Sequence, residues 1–153
     1  MTQISKHISF KEATYSATAE KMEIVNDNPN LAVIENMKLV ANKVFEPVRN
    51  HFGKPIKVSS FFRGMPLNQA IKGSITSQHC AGQAIDIDNN NGTPSNKEIF
   101  DYIKKNLEFD QLIWEFGTDK NPDWVHVSFI DGKNRKQVLR AKKINGQTSY
   151  ETI

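Results

Sequence analysis

The chain has 153 residues, of which 38% are hydrophobic and 24% are charged. This length and composition predict a single domain with enough apolar side chain to bury a core, and they exclude the intrinsically disordered class. The net charge of +3 is compatible with an anionic surface such as a bacterial cell wall, but its 20 Lys and Arg are too scattered to indicate a nucleic-acid-binding protein.

Cys80 is the only cysteine, which excludes an intramolecular disulfide and a CxxC zinc ribbon. The first residues lack the apolar segment of a signal peptide. No run approaches the roughly 18 apolar residues of a membrane span. We therefore expect synthesis in the cytoplasm without a signal peptide, and no membrane span.

The first third of the chain is predicted to be helical. Ser9 and Glu12 form a capping box that begins a short helix. Pro29 suits the first position of a longer helix, which Gly53 ends and which Pro47 should kink or divide. Apolar residues recur along this helix at three- and four-residue steps and comprise Leu31, Ile34, Met37, Val40, Val44 and Val48.

The remainder of the chain is predicted to be mostly strands. Ser95 and Glu98 form a second capping box before a helix, Asp131-Gly132 is a hairpin signal, and residues 64–76 are predicted to be a long loop. Strands are expected over residues 54–62, 83–88, 111–116, 124–129 and 137–142. The order predicts an α+β domain built on an antiparallel sheet. Its core spans residues 8–142, residues 143–153 form a C-terminal tail, and the chain from Asn145 onward is expected to be frayed.

His79, Asp86 and His126 are side chains of the types that form a catalytic zinc site. Such a site takes three protein ligands and leaves a fourth position for water. Strand alternation allows Asp86 and His126 to point to a shared position if their strands are neighbours. His79 precedes the first strand and can supply the third ligand, with Gly82 allowing the intervening chain to turn tightly.

A zinc site that activates water needs a nearby carboxylate to accept the proton. Asp123, three residues before His126, and Glu115, on the neighbouring strand, are both candidates. Arg63 could pair bidentately with a substrate carboxylate. The motifs HExxH, GxxxxGK[ST] and GxSxG are absent from the sequence.

Other candidate residues receive a structural interpretation. His7 and His51 are interpreted as structural or surface residues, and Cys80 as a small group that packs inward. Asp86, Asp88 and Asn90 imitate part of a calcium loop, but the glycine falls one position late and the twelfth position is a lysine.

The spacing Ser77-x-His79-x-x-Gly82-x-Ala84-x-Asp86, followed by Trp124-Val125-His126-Val127-Ser128, resembles a known family. It is similar to the zinc D-alanyl-D-alanine carboxypeptidases and related peptidoglycan endopeptidases, which share the hedgehog/D,D-peptidase fold. The similarity extends from about Ile8 to about Ala141 and is strongest to the small single-domain branch found in phages and bacteria. It implies one zinc ion per chain, with His79, Asp86 and His126 as ligands.

The resemblance also implies roles around the metal. Asp123 would be the acid/base carboxylate, with Glu115 in reserve, Arg63 would lie near the substrate, and Ser77 would hydrogen-bond the substrate backbone. The implied function is hydrolysis of peptide stems or cross-bridges of peptidoglycan, by a D,D-carboxypeptidase or an endopeptidase. The D-Ala-D-Ala, L-Ala-D-Glu and cross-bridge bonds all remain open.

We expect a monomer that acts on the wall in the periplasm, as a phage endolysin or as a virion-associated wall hydrolase. The alternative is a non-catalytic zinc-containing domain that binds wall peptides or a partner protein. A purely structural zinc site would need a fourth protein ligand. Cys80 is the only cysteine available for it and, being adjacent to His79, is poorly placed.

Overall fold

The computed structural model describes residues 2–153. Within them, the helices are α1 (Phe10–Thr14), α2 (Ala17–Lys21), α3 (Leu31–Val40), α4 (Glu46–Phe52), α5 (Met65–Ala70) and α6 (Asn96–Asn106). The strands are β1 (Gln3–Ser5), β2 (Ile8–Ser9), β3 (Val58–Ser60), β4 (Ala84–Ile87), β5 (Gln111–Glu115), β6 (Trp124–Ser128), β7 (Gln137–Ile144) and β8 (Gln147–Thr152). No helix in this part of the chain is both long and apolar enough to cross a membrane.

A six-stranded sheet organises the molecule. Its strand order is β3–β4–β6–β5–β7–β8, and β1 pairs with β2 in a separate antiparallel ribbon. One sheet face packs against the helices, because alternate residues of β4, β5 and β6 join the main hydrophobic core. These are Ile85, Ile87, Leu112, Trp114, Val125 and Val127. The predicted α+β class is confirmed.

The long N-terminal helix forms, but its details differ from the prediction. It begins at Leu31 and is capped by Asn30, whose side chain accepts a hydrogen bond from the Val33 N–H at 2.9 Å. Pro29 therefore lies before the cap and not at the first helical position. Pro47 does not divide the helix, because a π-helical turn over Ala41–Phe45 joins α3 to α4. A wider turn just before a proline accommodates the missing N–H without a break.

Both predicted capping boxes are present, at Ser9 and Ser95. The predicted loop over residues 64–76 is partly wrong, because it contains α5, which begins with a proline near its first position. A further short helix, α2, is capped by Ser16. Helices of five or six residues are too short for an apolar periodicity to develop, which explains why the sequence did not reveal them.

The C-terminal tail is not frayed: residues 147–152 form β8, which pairs antiparallel with β7. Asn145 and Gly146 both have positive φ and make the tight turn between them, as in a type I′ hairpin. The turn at Asp131-Gly132 does not produce a hairpin, because β7 pairs in parallel with β5 and not with β6. The predicted antiparallel sheet therefore contains one parallel pair, β5 with β7.

Gly82 gives a direct test of the turn that leads into β4. Its φ is +72°, and an added Cβ would lie 2.6 Å from the carbonyl oxygen of Val33 on α3. Gly132 also has a φ of +72°, but an added Cβ there meets nothing within 4 Å. Gly132→Ala therefore measures the cost of backbone strain alone, whereas Gly82→Ala adds a steric clash to a similar strain.

We expect Gly132→Ala to lower the free energy of unfolding by about 1 kcal/mol, the usual cost of a left-handed alanine. Gly82→Ala should lower it by roughly 1–3 kcal/mol more, because the added methyl group overpacks the contact with α3. Urea denaturation of both variants measures the difference. Equal losses in the two variants would contradict this account of the turn.

Candidate active site

The pairing of β4 with β6 brings two of the predicted ligands together. Asp86 lies directly opposite His126 in the antiparallel register, so both side chains emerge from the same face of the sheet. His126 Nδ1 is 3.1 Å from Asp86 Oδ1. His79 Nε2, from the loop before β4, is 3.3 Å from Asp86 Oδ2. One candidate ligand atom from each residue lies within 4.8 Å of the other two.

A main-chain contact fixes the orientation of the His79 ring. Its Nδ1 lies 2.8 Å from the carbonyl oxygen of Phe61, and the ring is buried. Since a carbonyl oxygen can only accept a hydrogen bond, Nδ1 carries the proton. In the neutral ring, Nε2 therefore carries the lone pair and faces Asp86, which is the arrangement that metal-ligating imidazoles adopt.

The three groups fit a zinc ion. Zinc–ligand bonds of roughly 2.0–2.1 Å in a tetrahedron place ligand atoms about 3.3 Å apart. The two nitrogen–oxygen separations at Asp86, 3.1 and 3.3 Å, are close to that value. Burial alone would raise the pKa of Asp86, but the imidazoles of His79 and His126 hold it well below its usual range, so the carboxylate stays ionised. Within residues 2–153 no fourth His, Cys, Asp or Glu joins the group, which leaves one coordination position open.

The triad opens into a cavity of about 930 Å³. Two smaller cavities, of about 480 and 420 Å³, lie elsewhere. The large cavity is also lined by Arg63, Ser77 and Glu115. An open cleft of this size accommodates a short peptide segment next to the candidate ligands.

Asp123 is not part of this cavity. It is exposed, and it precedes β6 by one residue, so strand alternation assigns it to the face opposite His126. Its backbone N–H donates to the carbonyl oxygen of Glu115 at 2.9 Å. The three-residue spacing that suggested Asp123 as the base is an odd number of steps along a strand, so Asp123 and His126 do not share a sheet face.

Glu115, the reserve candidate for the base, lies in the cavity. It is buried, lines the cavity, and is two residues beyond Ile113, which is paired with His126. Burial chiefly raises the pKa of Glu115 to about 7, against the opposing effect of His126 and with a further contribution from the Asp86 carboxylate. A carboxyl with this pKa can both accept and release a proton near neutral pH.

A family model described as Peptidase M15 matches residues 6–128. The chain belongs to the Peptidase M15 family. This is a family of zinc peptidases of the D-Ala-D-Ala carboxypeptidase type with the hedgehog/D,D-peptidase-like fold, so the predicted family and fold are confirmed. The M15 chain is accordingly a zinc-dependent metallopeptidase. No curated protein matches the sequence.

Arg63 and Ser77 both line the cleft of the M15 chain. The Arg63 backbone N–H donates to the carbonyl oxygen of His79 at 3.3 Å, and its Nη1 donates to Asn68 Oδ1 at 3.3 Å. Asn68 is buried and donates from Nδ2 to the carbonyl oxygen of Ser74. Asn68, on the unpredicted helix α5, thus fixes both the arginine and the loop that carries Ser77.

The remaining histidines and the cysteine do not join the triad. His7 Nδ1 contacts Glu46 Oε1 at 2.6 Å, and the ring of His51 stacks on Tyr102 with centroids 4.0 Å apart. Both therefore have structural contacts, as predicted. Cys80 is half-buried, and burial raises the pKa of its thiol despite Arg63 nearby, which disfavours the thiolate form.

Asp110 anchors the loop that leads to His79. Its buried carboxylate accepts a hydrogen bond from Gln78 Nε2 at 2.8 Å, and the Arg135 guanidinium donates to both of its oxygens at 2.9 and 2.8 Å. The hydrogen bonds from Arg135 are the main cause that lowers the pKa of Asp110 to about 2. The Asp110 contacts join the loop before β4 to the segment before β7.

We expect Asp110→Asn to lower the free energy of unfolding by roughly 2 kcal/mol at pH 7, since each unit of pKa shift corresponds to about 1.4 kcal/mol. Because the pKa of Asp110 is lower in the native state than in the unfolded state, its ionised form stabilises the protein at pH values above the unfolded-state pKa. This stabilisation is lost as the pH falls through the native-state pKa. The wild-type advantage should therefore shrink between about pH 4 and pH 2.

The test is urea denaturation at pH 7 and at pH 2, with Asp119→Asn as the matched control. Asp119 also pairs with an arginine, Arg140, but its carboxylate is 89% exposed, so its loss should change stability little. A destabilisation by Asp110→Asn that is the same at both pH values would contradict the assigned cause.

Proposed function

We propose that this protein hydrolyses peptide bonds in the stems or cross-bridges of peptidoglycan, as a D,D-carboxypeptidase or an endopeptidase. Membership of the M15 family supports this proposal. The observation that carries it is the meeting of two imidazoles, an ionised carboxylate and a second, buried carboxylate in one open cleft. Peptide hydrolysis needs both an activated water and a group that shuttles its proton.

Each residue has a defined role in the proposed reaction. His79, Asp86 and His126 would hold a zinc ion, which when bound would polarise the scissile carbonyl and activate water. Glu115 accepts a proton from the attacking water as the oxygen bonds to the carbonyl carbon. The carboxyl group then returns the proton to the amine nitrogen as the C–N bond breaks. Glu115 takes this role instead of Asp123 because it lines the cleft and Asp123 does not.

Charged residues around the cleft favour an anionic peptide. Four positively charged side chains line its walls, and they belong to Arg63, Lys72, Arg135 and Lys143. In the proposal, the guanidinium of Arg63 binds a carboxylate of the peptide, and the Ser77 hydroxyl hydrogen-bonds its backbone. Peptidoglycan stems carry free carboxylates, which match this potential. We propose peptidoglycan peptide as the substrate of a monomeric enzyme.

We further propose that the enzyme acts at the bacterial cell wall, as a phage endolysin or as a virion-associated wall hydrolase. The support for this setting is the resemblance of residues 77–86 and 124–128 to the small single-domain branch of the family. Mass analysis of the muropeptides released from purified sacculi would name the bond that is cut.

Glu115→Gln and Asp123→Asn are a matched pair of variants that test the assigned base. Glu115→Gln should lower kcat by about 10²- to 10⁴-fold, the usual contribution of a general base, while still binding one zinc per chain. Asp123→Asn should keep its activity within a few-fold of wild type. The measurements are turnover on muropeptides and zinc content by elemental analysis.

A loss of turnover in Asp123→Asn but not in Glu115→Gln would return the role of base to Asp123. Zinc bound by the wild type without cleavage of any muropeptide would favour the alternative, a non-catalytic domain that binds wall peptides. Absence of zinc in the purified wild type, even after incubation with the metal, would exclude both functions.

A further inference from the structure

The cleft continues past the part of the chain that the family match covers. The match ends at residue 128, whereas the sheet extends through β7 and β8. Lys143, Thr148 and Tyr150 from these two strands line the same cavity as the candidate zinc ligands. The C-terminal hairpin therefore forms one wall of the cleft.

The strand register explains why Tyr150 reaches the site. Glu115 is paired with Trp124 on β6 and with Ala141 on β7, and Ala141 is paired with Tyr150 on β8. Directly paired residues share a sheet face, so these four side chains form one row across the cleft floor. The row next to it contains Asp86, His126 and Ile113.

Ala141 is the short member of this row, and its methyl group is fully buried between two larger neighbours. A methyl group at this position leaves the space between Glu115 and Tyr150 without a bulky side chain. Partial burial raises the pKa of Tyr150, and the carboxylates of Glu115 and Asp86 add to the rise, which is consistent with a phenol near both. Tyr150 as a whole residue is still 54% exposed, so it is accessible to a ligand.

The two faces of the hairpin differ in character. On the face away from the cleft, Glu151 forms an ion pair with Lys142 at 3.0 Å. On the cleft face, Lys143 Nζ donates to Thr148 Oγ1 at 3.2 Å and lies 5.6 Å from the centre of the Phe116 ring. Positive charge and an aromatic hydroxyl thus face the cleft.

We propose that the C-terminal hairpin is a substrate-binding wall and that Tyr150 contacts the bound peptide. The phenol ring packs on the peptide, and its hydroxyl donates a hydrogen bond to a carbonyl or carboxylate oxygen. Lys143 supplies a positive charge for a carboxylate of the same peptide. This inference rests on the proposed function, because it identifies a further part of the same substrate site.

The test compares Tyr150→Phe and Tyr150→Ala with Tyr15→Ala. Tyr15 is a matched control because its side chain is similarly exposed, at 56%, and does not line the cleft. Binding of a soluble muropeptide is measured by calorimetry in the Glu115→Gln background, where cleavage does not interfere. Activity is measured in variants that keep the native Glu115. Zinc content and the midpoint of thermal unfolding are measured for every variant.

We expect Tyr150→Phe to weaken muropeptide binding and to lower kcat/KM by roughly three- to tenfold, the effect of one lost hydrogen bond. Tyr150→Ala, which also loses the ring, should cost about tenfold or more. Zinc content should be unchanged, because the tyrosine lies outside the ligand set. Tyr15→Ala should stay within about twofold of wild type, as expected of a surface residue.

The inference would be overturned if Tyr150→Ala had the same muropeptide affinity and the same kcat/KM as Tyr15→Ala. That result would leave the proposed function intact. Binding without cleavage by the wild type would overturn the proposed function, and the affinity of the Tyr150 variants would still decide the role of the hairpin. A wild-type protein that neither binds nor cleaves muropeptides would overturn both.

Discussion

The antiparallel pairing of β4 with β6 is the constraint on which the candidate site depends. Its register sets Asp86 directly opposite His126, and the alternate residues of both strands are packed in the main core. A slip of β4 by one residue would turn Asp86 into the core, away from His126, and would expose Ile85. Core packing and site geometry are therefore set by the same register, and a change that loosens one should disturb the other.

The polar groups of the site lie on the sheet face that points away from the main hydrophobic core. Their partial burial there strengthens the electrostatic interactions between them. Burying Asp86 is unfavourable in itself, and the two imidazoles compensate by favouring its ionised form. At Glu115, in the next row of the same face, burial outweighs the opposing effect of His126, so its pKa rises and its carboxyl retains a proton more readily. Two carboxyl groups on one sheet face thus have opposite pKa shifts, which suits one to bind a metal and the other to transfer a proton.

The sequence predicted the elements that local signals specify. The two capping boxes and the period-2 strands at β4, β5 and β6 appear as expected, and the three proposed ligands meet. Asp123 stays a prediction for the base: the motif spacing favours it, but its side chain is exposed and does not line the cleft, whereas Glu115 does. The strand β8 was missed because its exposed, polar residues show no apolar period, although Asn145-Gly146 is a recognisable hairpin turn. Parallel pairing of β5 with β7 is a long-range choice that no local pattern encodes.

Anomalous diffraction from a crystal grown with zinc tests the central claim most directly, since it locates the metal independently of activity. The account predicts one anomalous peak within bonding distance of His79, Asp86 and His126, with Glu115 facing the open coordination position. A peak at another histidine–carboxylate pair, such as His7 with Glu46, would contradict it. So would a zinc ion that also binds a fourth side chain and leaves no position for water.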